Sequence, residues 1–212
     1  MSVKNIFPTA SGDEVLDFTD GSYSGIVIQD NVFKNNYRQI RFEGGTTSAI
    51  VIQRNMMDGT TSEEAIRLIG ANDVRVVNNV IMNSMQQGIY IDTGSSNIDV
   101  LHNSFFNNDQ EGLNQGELRT KVLTADIVIK NNIFYANGSN DIFETSASSL
   151  LSEDFNLVFN SPQIGSFTFG ASTITGDPKF MNTTADMEDL SLQSNSPAID
   201  AATDLGVTDS VC

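Results

Sequence analysis

Three residues able to handle charge recur at nearly equal intervals, each between two apolar neighbours: Ile40-Arg41-Phe42, Ile66-Arg67-Leu68 and Ile89-Tyr90-Ile91. A guanidinium can hold a carboxylate through two parallel hydrogen bonds, and a tyrosine can stack on a ring or pass a proton. Asp17 precedes the series and Asn114 follows it. Positions two residues before and after the central ones, on the same side of a strand, add Gln39, Glu43 and Asp92. The spacing predicts one face on which Asp17, Arg41, Arg67, Tyr90 and Asn114 stand on successive strands about 5 Å apart. A polymeric ligand could lie along such a face; the plainer alternative is an ordinary solvated surface. The one histidine, His102, aligns with Asp30, Arg54, Asn78 and Asn131, a mixed polar set that reads as a solvated corner. A metal site built on histidines is excluded by count. Carboxylate-held Ca²⁺ stays open with 27 Asp and Glu in the chain, although no D-x-D-x-D-G loop occurs.

The elements that would position these residues follow from a repeat. Asn31, Asn55, Asn79 and Asn103 are 24 residues apart, and Asn132 and Asn156 repeat the interval after a five-residue insertion. Self-similarity at such a period marks a stacked repeat architecture. Five and three residues before each Asn stand Ile26/Ile28, Ile50/Ile52, Val74/Val76, Ile98/Val100 and Ile127/Ile129. This period-two pattern of β-branched residues is a strand with one buried face. Two residues after the Asn come Phe33, Met57, Ile81, Phe105, Phe134 and Val158, a second inward column. The strands that carry Arg41, Arg67 and Tyr90 begin about ten residues after the Asn, with weaker echoes at Leu113 and Ile142. Three strands per 24 residues and no helical period describe an all-β chain coiled as a single-stranded parallel β-helix. The Asn is expected at a tight corner, where it tolerates the left-handed conformation, and stacked Asn side chains can hydrogen-bond along the coil axis. Counting from Asn156 by one more interval reaches Phe180, which gives about seven coils over residues 2–180 and a closing segment at 181–212, all in one domain. The insertion falls within Asn114 to Leu123, with Glu117, Arg119 and Lys121, and is expected after the third strand, as a lip over the polar face or a plain surface loop.

The run Val74 to Asn83 followed by Gly88 to Ile91, together with the stretch Gly176 to Gly206 (GDPKF…SPAIDAATDLG), resembles right-handed parallel β-helix proteins of the pectate-lyase-like superfamily. The resemblance spans roughly residues 2 to 206 and implies a right-handed coil, a secreted or cell-surface location and sugar chains bound along one outer face. It does not choose an activity, because one fold hosts many functions. Cleavage of a uronate polymer by elimination would need a base, an acid and a carboxylate neutraliser. Arg67 and Tyr90 could supply base and acid, and Arg41 or a bound Ca²⁺ the neutraliser, although arginine is a poor base at its ordinary pKa. A glycosidase would need paired carboxylates; Glu43 and Asp92, two coils apart, lie near the long end of the usual separation. The tight Asp clusters that β-helix glycosidases carry are absent from this sequence.

A net charge of −16 disfavours nucleic acid and anionic membranes as partners, since phosphate binding needs clustered Lys and Arg. No apolar run approaches a membrane span and no signal-peptide pattern is present. Outward positions Val27, Val51, Val77 and Leu101 form a strip too apolar for open solvent, expected to pack under a loop or against another subunit. Asn5-Ile6-Phe7 matches Asn132-Ile133-Phe134, so the chain is expected to start within a coil and to stop abruptly at Val211-Cys212. Open coil ends would then offer a second route to a homo-oligomer. Two functions stay open: binding or processing of an extracellular polysaccharide, and a non-catalytic structural or adhesin-type segment that self-associates.

Overall fold

A computed structural model describes residues 1–4, 13–121, 124–138, 140–144, 149–161 and 169–206. Every described strand of the coil pairs in parallel with its equivalents one repeat away, and three long sheets result, with a two-stranded pair, Ser22–Ser24 and Thr46–Ser48, beside them. Sheet 1 holds the strands before each Asn, from Ser2–Lys4 through Ile50–Gln53 and Asn72–Val77 to Ser149–Asp154. Sheet 2 holds those after it, from Val32–Asn36 to Leu157–Phe159 and Ile174–Thr175. Sheet 3 holds Glu14–Thr19, Arg38–Glu43, Ile66–Ile69, Ile89–Asp92, Leu118–Thr120 and Ile142–Glu144. With seven, seven and six strands, the sheets make about six turns, one fewer than the repeat count suggests. The difference lies at Phe180, which leaves the coil and enters an antiparallel hairpin, Phe180–Asn182 with Asp189–Leu192. Asn5 to Phe7, Val211 and Cys212 lie outside the described residues.

The inward columns fill the coil as their period demands. Ile28, Ile52, Val76, Val100 and Ile129 are fully buried, as are Phe33, Met57, Ile81, Phe105 and Phe134. Identical positions stack directly, so Phe105 lies 4.7 Å from Phe134 with rings nearly parallel. Burying an apolar side chain of this size is worth about 1.5–3 kcal/mol, and each rung repeats the gain.

The polar column runs through the same interior. Asn79 Oδ1 accepts both the backbone N–H (3.0 Å) and the side-chain Nδ2 (3.0 Å) of Asn55, and the pattern repeats at Asn31, Asn55, Asn103, Asn132 and Asn156. Nδ2 also donates to a strand carbonyl of the preceding coil, such as Ile52 O for Asn79. Thr173 Oγ1 accepts from Asn156 N and ends the ladder. The left-handed corner, however, is one residue earlier than expected. Asp30, Arg54, Asn78, His102, Asn131 and Phe155 have φ between 52° and 58°, whereas the ladder asparagines do not. The Asn is therefore selected for its hydrogen bonds, and its neighbour takes up the backbone strain whatever its side chain.

The chain after the coil folds back along the outside. Its hairpin covers the outer face of sheet 2, where Phe180 is buried with Met82 and Phe106 and packs on Met56, Val80 and Tyr135. Further on, Thr203 exchanges two hydrogen bonds with Asn131 at the corner of sheets 1 and 2. Val77 and Leu101, half of the apolar strip, are only 4% exposed within this single chain, while Val27 and Val51 are half-buried.

Asn79→Ala should lower the unfolding free energy by about 3 kcal/mol, because it orphans two buried donors of Asn55 at about 1–3 kcal/mol each. The outward Arg75→Ala should change it by about 0.5 kcal/mol or less in the same urea titration.

Candidate functional site

Sheet 3 brings most of the expected polar face together. The register places Asp17, Arg41, Arg67 and Tyr90 side by side on successive coils, and the next partner is Arg119. Asn114 is not on this column. It sits at φ 56° in the inserted loop, where its carbonyl accepts from Asn140 Nδ2, and Leu113 beside it is 47% exposed. The third strand of this coil is Leu118–Thr120, so the insertion precedes the strand and forms no lip after it. Asp109 holds that loop through the N–H groups of Leu113, Gln115 and Gly116. Gln39 also leaves the face. The N–H groups of Gln39 and Ile40 both reach Ala65 O, a bulge that buries Gln39, and its Nε2 donates to Gly59 O at 2.7 Å.

The remaining residues neutralise one another. Arg41 bonds Glu43 and Glu14 at 3.0 and 3.2 Å; Arg67 bonds Glu43 and Glu64 at 3.0 and 3.1 Å. Arg38, almost fully buried, pairs with Glu14, Glu63 and Glu64. Burial disfavours the charge on Arg67, but Glu64 and Glu43 outweigh it and hold the guanidinium above its ordinary pKa. Arg67 therefore stays protonated and is unsuited to act as a base.

Tyr90 is the centre of the arrangement. The charged groups of Arg67, Arg119 and Lys121 lie 5.3, 5.4 and 5.5 Å from its ring centre, within cation–π range. They cover the ring, which is 7% exposed and so not open to a stacking sugar. Its hydroxyl donates to Asp92 Oδ2 at 2.5 Å, and Lys121 Nζ reaches the same oxygen at 3.4 Å. Burial, then the bond to Asp92, push the phenol pKa up. For Asp92 burial acts against ionisation, yet hydrogen bonds from Tyr90 and Thr93 and the Lys121 charge prevail and lower its pKa to about 2. Ca²⁺ fits this face poorly, because Glu43 and Asp92 are already engaged by arginine, lysine and tyrosine. Among the described residues no group of three or more His, Cys, Asp and Glu is arranged to hold a metal. His102 stands at the corner of sheets 1 and 2, away from this face, with Nε2 3.1 Å from Asn131 Nδ2.

A family model described as the right-handed β-helix region matches residues 4–123, more than half of the chain. The chain belongs to the right-handed β-helix family. The match gives the coil its hand and leaves its activity open. No curated protein and no solved structure gives a significant match.

Five participants in the face of this β-helix lie outside the sequence pattern: Glu14, Arg38, Glu64, Arg119 and Lys121. Arg119 carried a usable signal, since Leu118-Arg119-Thr120 repeats the order of Ile66-Arg67-Leu68. Beneath the fifth rung the β-helix also buries two carboxyls on adjacent coils. Glu117 accepts from Asn108 N at 3.1 Å and from Asn108 Nδ2. Asp141 donates its backbone N–H to Ser161 Oγ at 3.0 Å, and the Ser161 hydroxyl favours the charged carboxylate too weakly to offset burial. Burial raises Glu117 well above its ordinary pKa and Asp141 to about 8.

Two pH effects follow. Folded Asp141 keeps a proton that the unfolded chain loses above about pH 4, so stability should fall as pH rises from about 4 to about 8. Asp141→Asn should flatten that loss in melts across the same range. Asp92, with its depressed pKa, adds stability above the unfolded value of 3.8 that is lost as pH falls toward about 2. Tyr90→Phe removes one of its donors and should move the NMR titration of Asp92 upward.

Proposed function

We propose that this β-helix binds an acidic, uronate-containing polysaccharide outside the cell along sheet 3, and holds it without cleaving it. One observation carries the reading. Arg38, Arg41, Arg67, Arg119 and Lys121 put five of the chain's eleven basic residues on one face, where they offset Glu14, Asp17, Glu43, Glu63, Glu64 and Asp92 and leave that face close to neutral in a protein with net charge −16. Three of these cations converge on Tyr90, which makes this end of the face the place where a polyanion is repelled least. Arg41 and Arg67 on adjacent coils, about 4.8 Å apart, and Arg119 two coils further on suit an extended chain that carries its carboxylates in series. Elimination is disfavoured because Arg67 is held protonated by two carboxylates and the Tyr90 phenol by burial and Asp92.

Isothermal titration with oligogalacturonate and oligoalginate tests this. Binding should weaken with added salt. The double variant Arg119→Ala/Lys121→Ala should lose about tenfold or more in affinity, equivalent to about 1.4 kcal/mol. Ultraviolet absorbance from unsaturated ends should stay flat; a rise would make the protein a lyase. Absence of binding to either polymer would favour the structural, self-associating role.

A further inference from the structure

The folded-back hairpin does more than cover sheet 2. Its turn approaches the second corner of the coil, where sheet 2 passes toward sheet 3, and Glu188 meets Asn83 Nδ2 at 3.3 Å, 105 residues away in sequence. Between turn and corner lies a groove of about 460 Å³. That is within the roughly 300–1,000 Å³ of ordinary small-molecule sites. We propose that this groove binds a protonated amino sugar, at a site separate from the arginine-bearing face of sheet 3.

The wall on the coil side is a second column of amides at the 24-residue interval: Asn35, then Gly59, Asn83 and Asn107, all with positive φ. The side-chain donors of Asn83 and Asn107 are already engaged. Asn107 Nδ2 donates to Asn83 Oδ1 at 2.9 Å, and Asn83 Nδ2 donates to Asp58 Oδ1 at 3.0 Å as well as to Glu188. Unengaged acceptors face the groove. The Asp186 carboxylate, the second oxygen of Glu188 and Asn107 Oδ1 take no hydrogen bond from any described residue. Lys34 is the one cation in the lining, and it is neutralised by Asp58 at 3.0 Å. Two carboxylates thus remain uncompensated, and an anionic ligand is excluded. A ligand with a positive charge and several O–H or N–H donors is matched.

Apolar surface completes the match. Met56 and Met82 lie under the groove and Met187 stands exposed on its rim. Flexible thioethers of this kind adapt to an irregular apolar surface such as the C–H face of a pyranose ring. Gly59 is buried, and a Cβ there would come within 2.7 Å of Asn35 Oδ1, so the Asn35 side chain closes the amide column at this coil. An ammonium group would then face Asp186 and Glu188 while hydroxyls reach the amide oxygens, the charge-assisted bonds being the stronger ones.

The test is calorimetric titration of the intact protein near pH 6 with a glucosamine tetramer and with its fully N-acetylated counterpart. The charged tetramer should bind, and the acetylated one about tenfold or more weakly. Asp186→Asn/Glu188→Gln, on the exposed turn, should cost about tenfold for the charged tetramer and leave the thermal melt unchanged. Equal binding of both tetramers, binding unaffected by the double variant, or no binding would overturn the proposal. The sheet 3 proposal would survive such a failure, because its ligand carries the opposite charge.

Discussion

One buried acceptor per coil holds this molecule in register. Each ladder Asn Oδ1 takes two N–H groups from the equivalent residue one coil before, and its Nδ2 reaches a carbonyl of that same coil. A slip of one residue between neighbouring coils would break these bonds and turn the inward Ile, Val and Phe columns outward together. An unmade bond at a buried backbone amide costs about 1–3 kcal/mol, so the ladder penalises every wrong register. The apolar columns supply the bulk of the stability, and the asparagines supply its uniqueness.

With the register fixed, side chains at equivalent positions must stand beside one another, and the outer faces inherit that order. On sheet 3 it brings acids and bases of neighbouring coils within ion-pair distance, as where Glu43 is shared by Arg41 and Arg67. Such a chain of charges is rigid. It is better suited to present a fixed pattern to a long ligand than to move protons, because each member stabilises the charge on the next. Irregularity enters where the repeat is broken: the loop before Leu118, the bulge at Gln39 and the hairpin from Phe180. The hairpin turn sets Asp186 and Glu188 beside the corner that carries Asn83 and Asn107.

The coil was legible because period-two β-branched patterns and a fixed interval leave little freedom. Every inward residue before and after the ladder Asn is buried as that pattern requires. The insertion was not legible, since Leu113 and Leu118 both fit an apolar position and the asparagines on either side cannot say which belongs to the coil. The left-handed corner was hidden because residues as different as Arg54, His102 and Phe155 occupy it, overriding local preference. Arg41, Arg67, Tyr90, Glu43 and Asp92 were found from alternation alone. Their pairing with Glu14, Arg38, Glu64 and Lys121 depends on contacts between coils that alternation within one strand does not encode. The folded-back segment depends on contacts more than 70 residues apart, such as Asn131 with Thr203, which no local pattern announces.

The functional account therefore rests on a place: the three-cation cluster at Tyr90, on a face that collects nearly half of the chain's positive charge. Amide chemical-shift mapping of the isotope-labelled protein with an unlabelled galacturonate trimer tests that place most directly. The account predicts that the shifted amides fall on the strands Ile66–Ile69, Ile89–Asp92 and Leu118–Thr120 and on Lys121, with sheets 1 and 2 unperturbed. Shifts centred on the hairpin and the amide column, or none at saturating trimer, would contradict it.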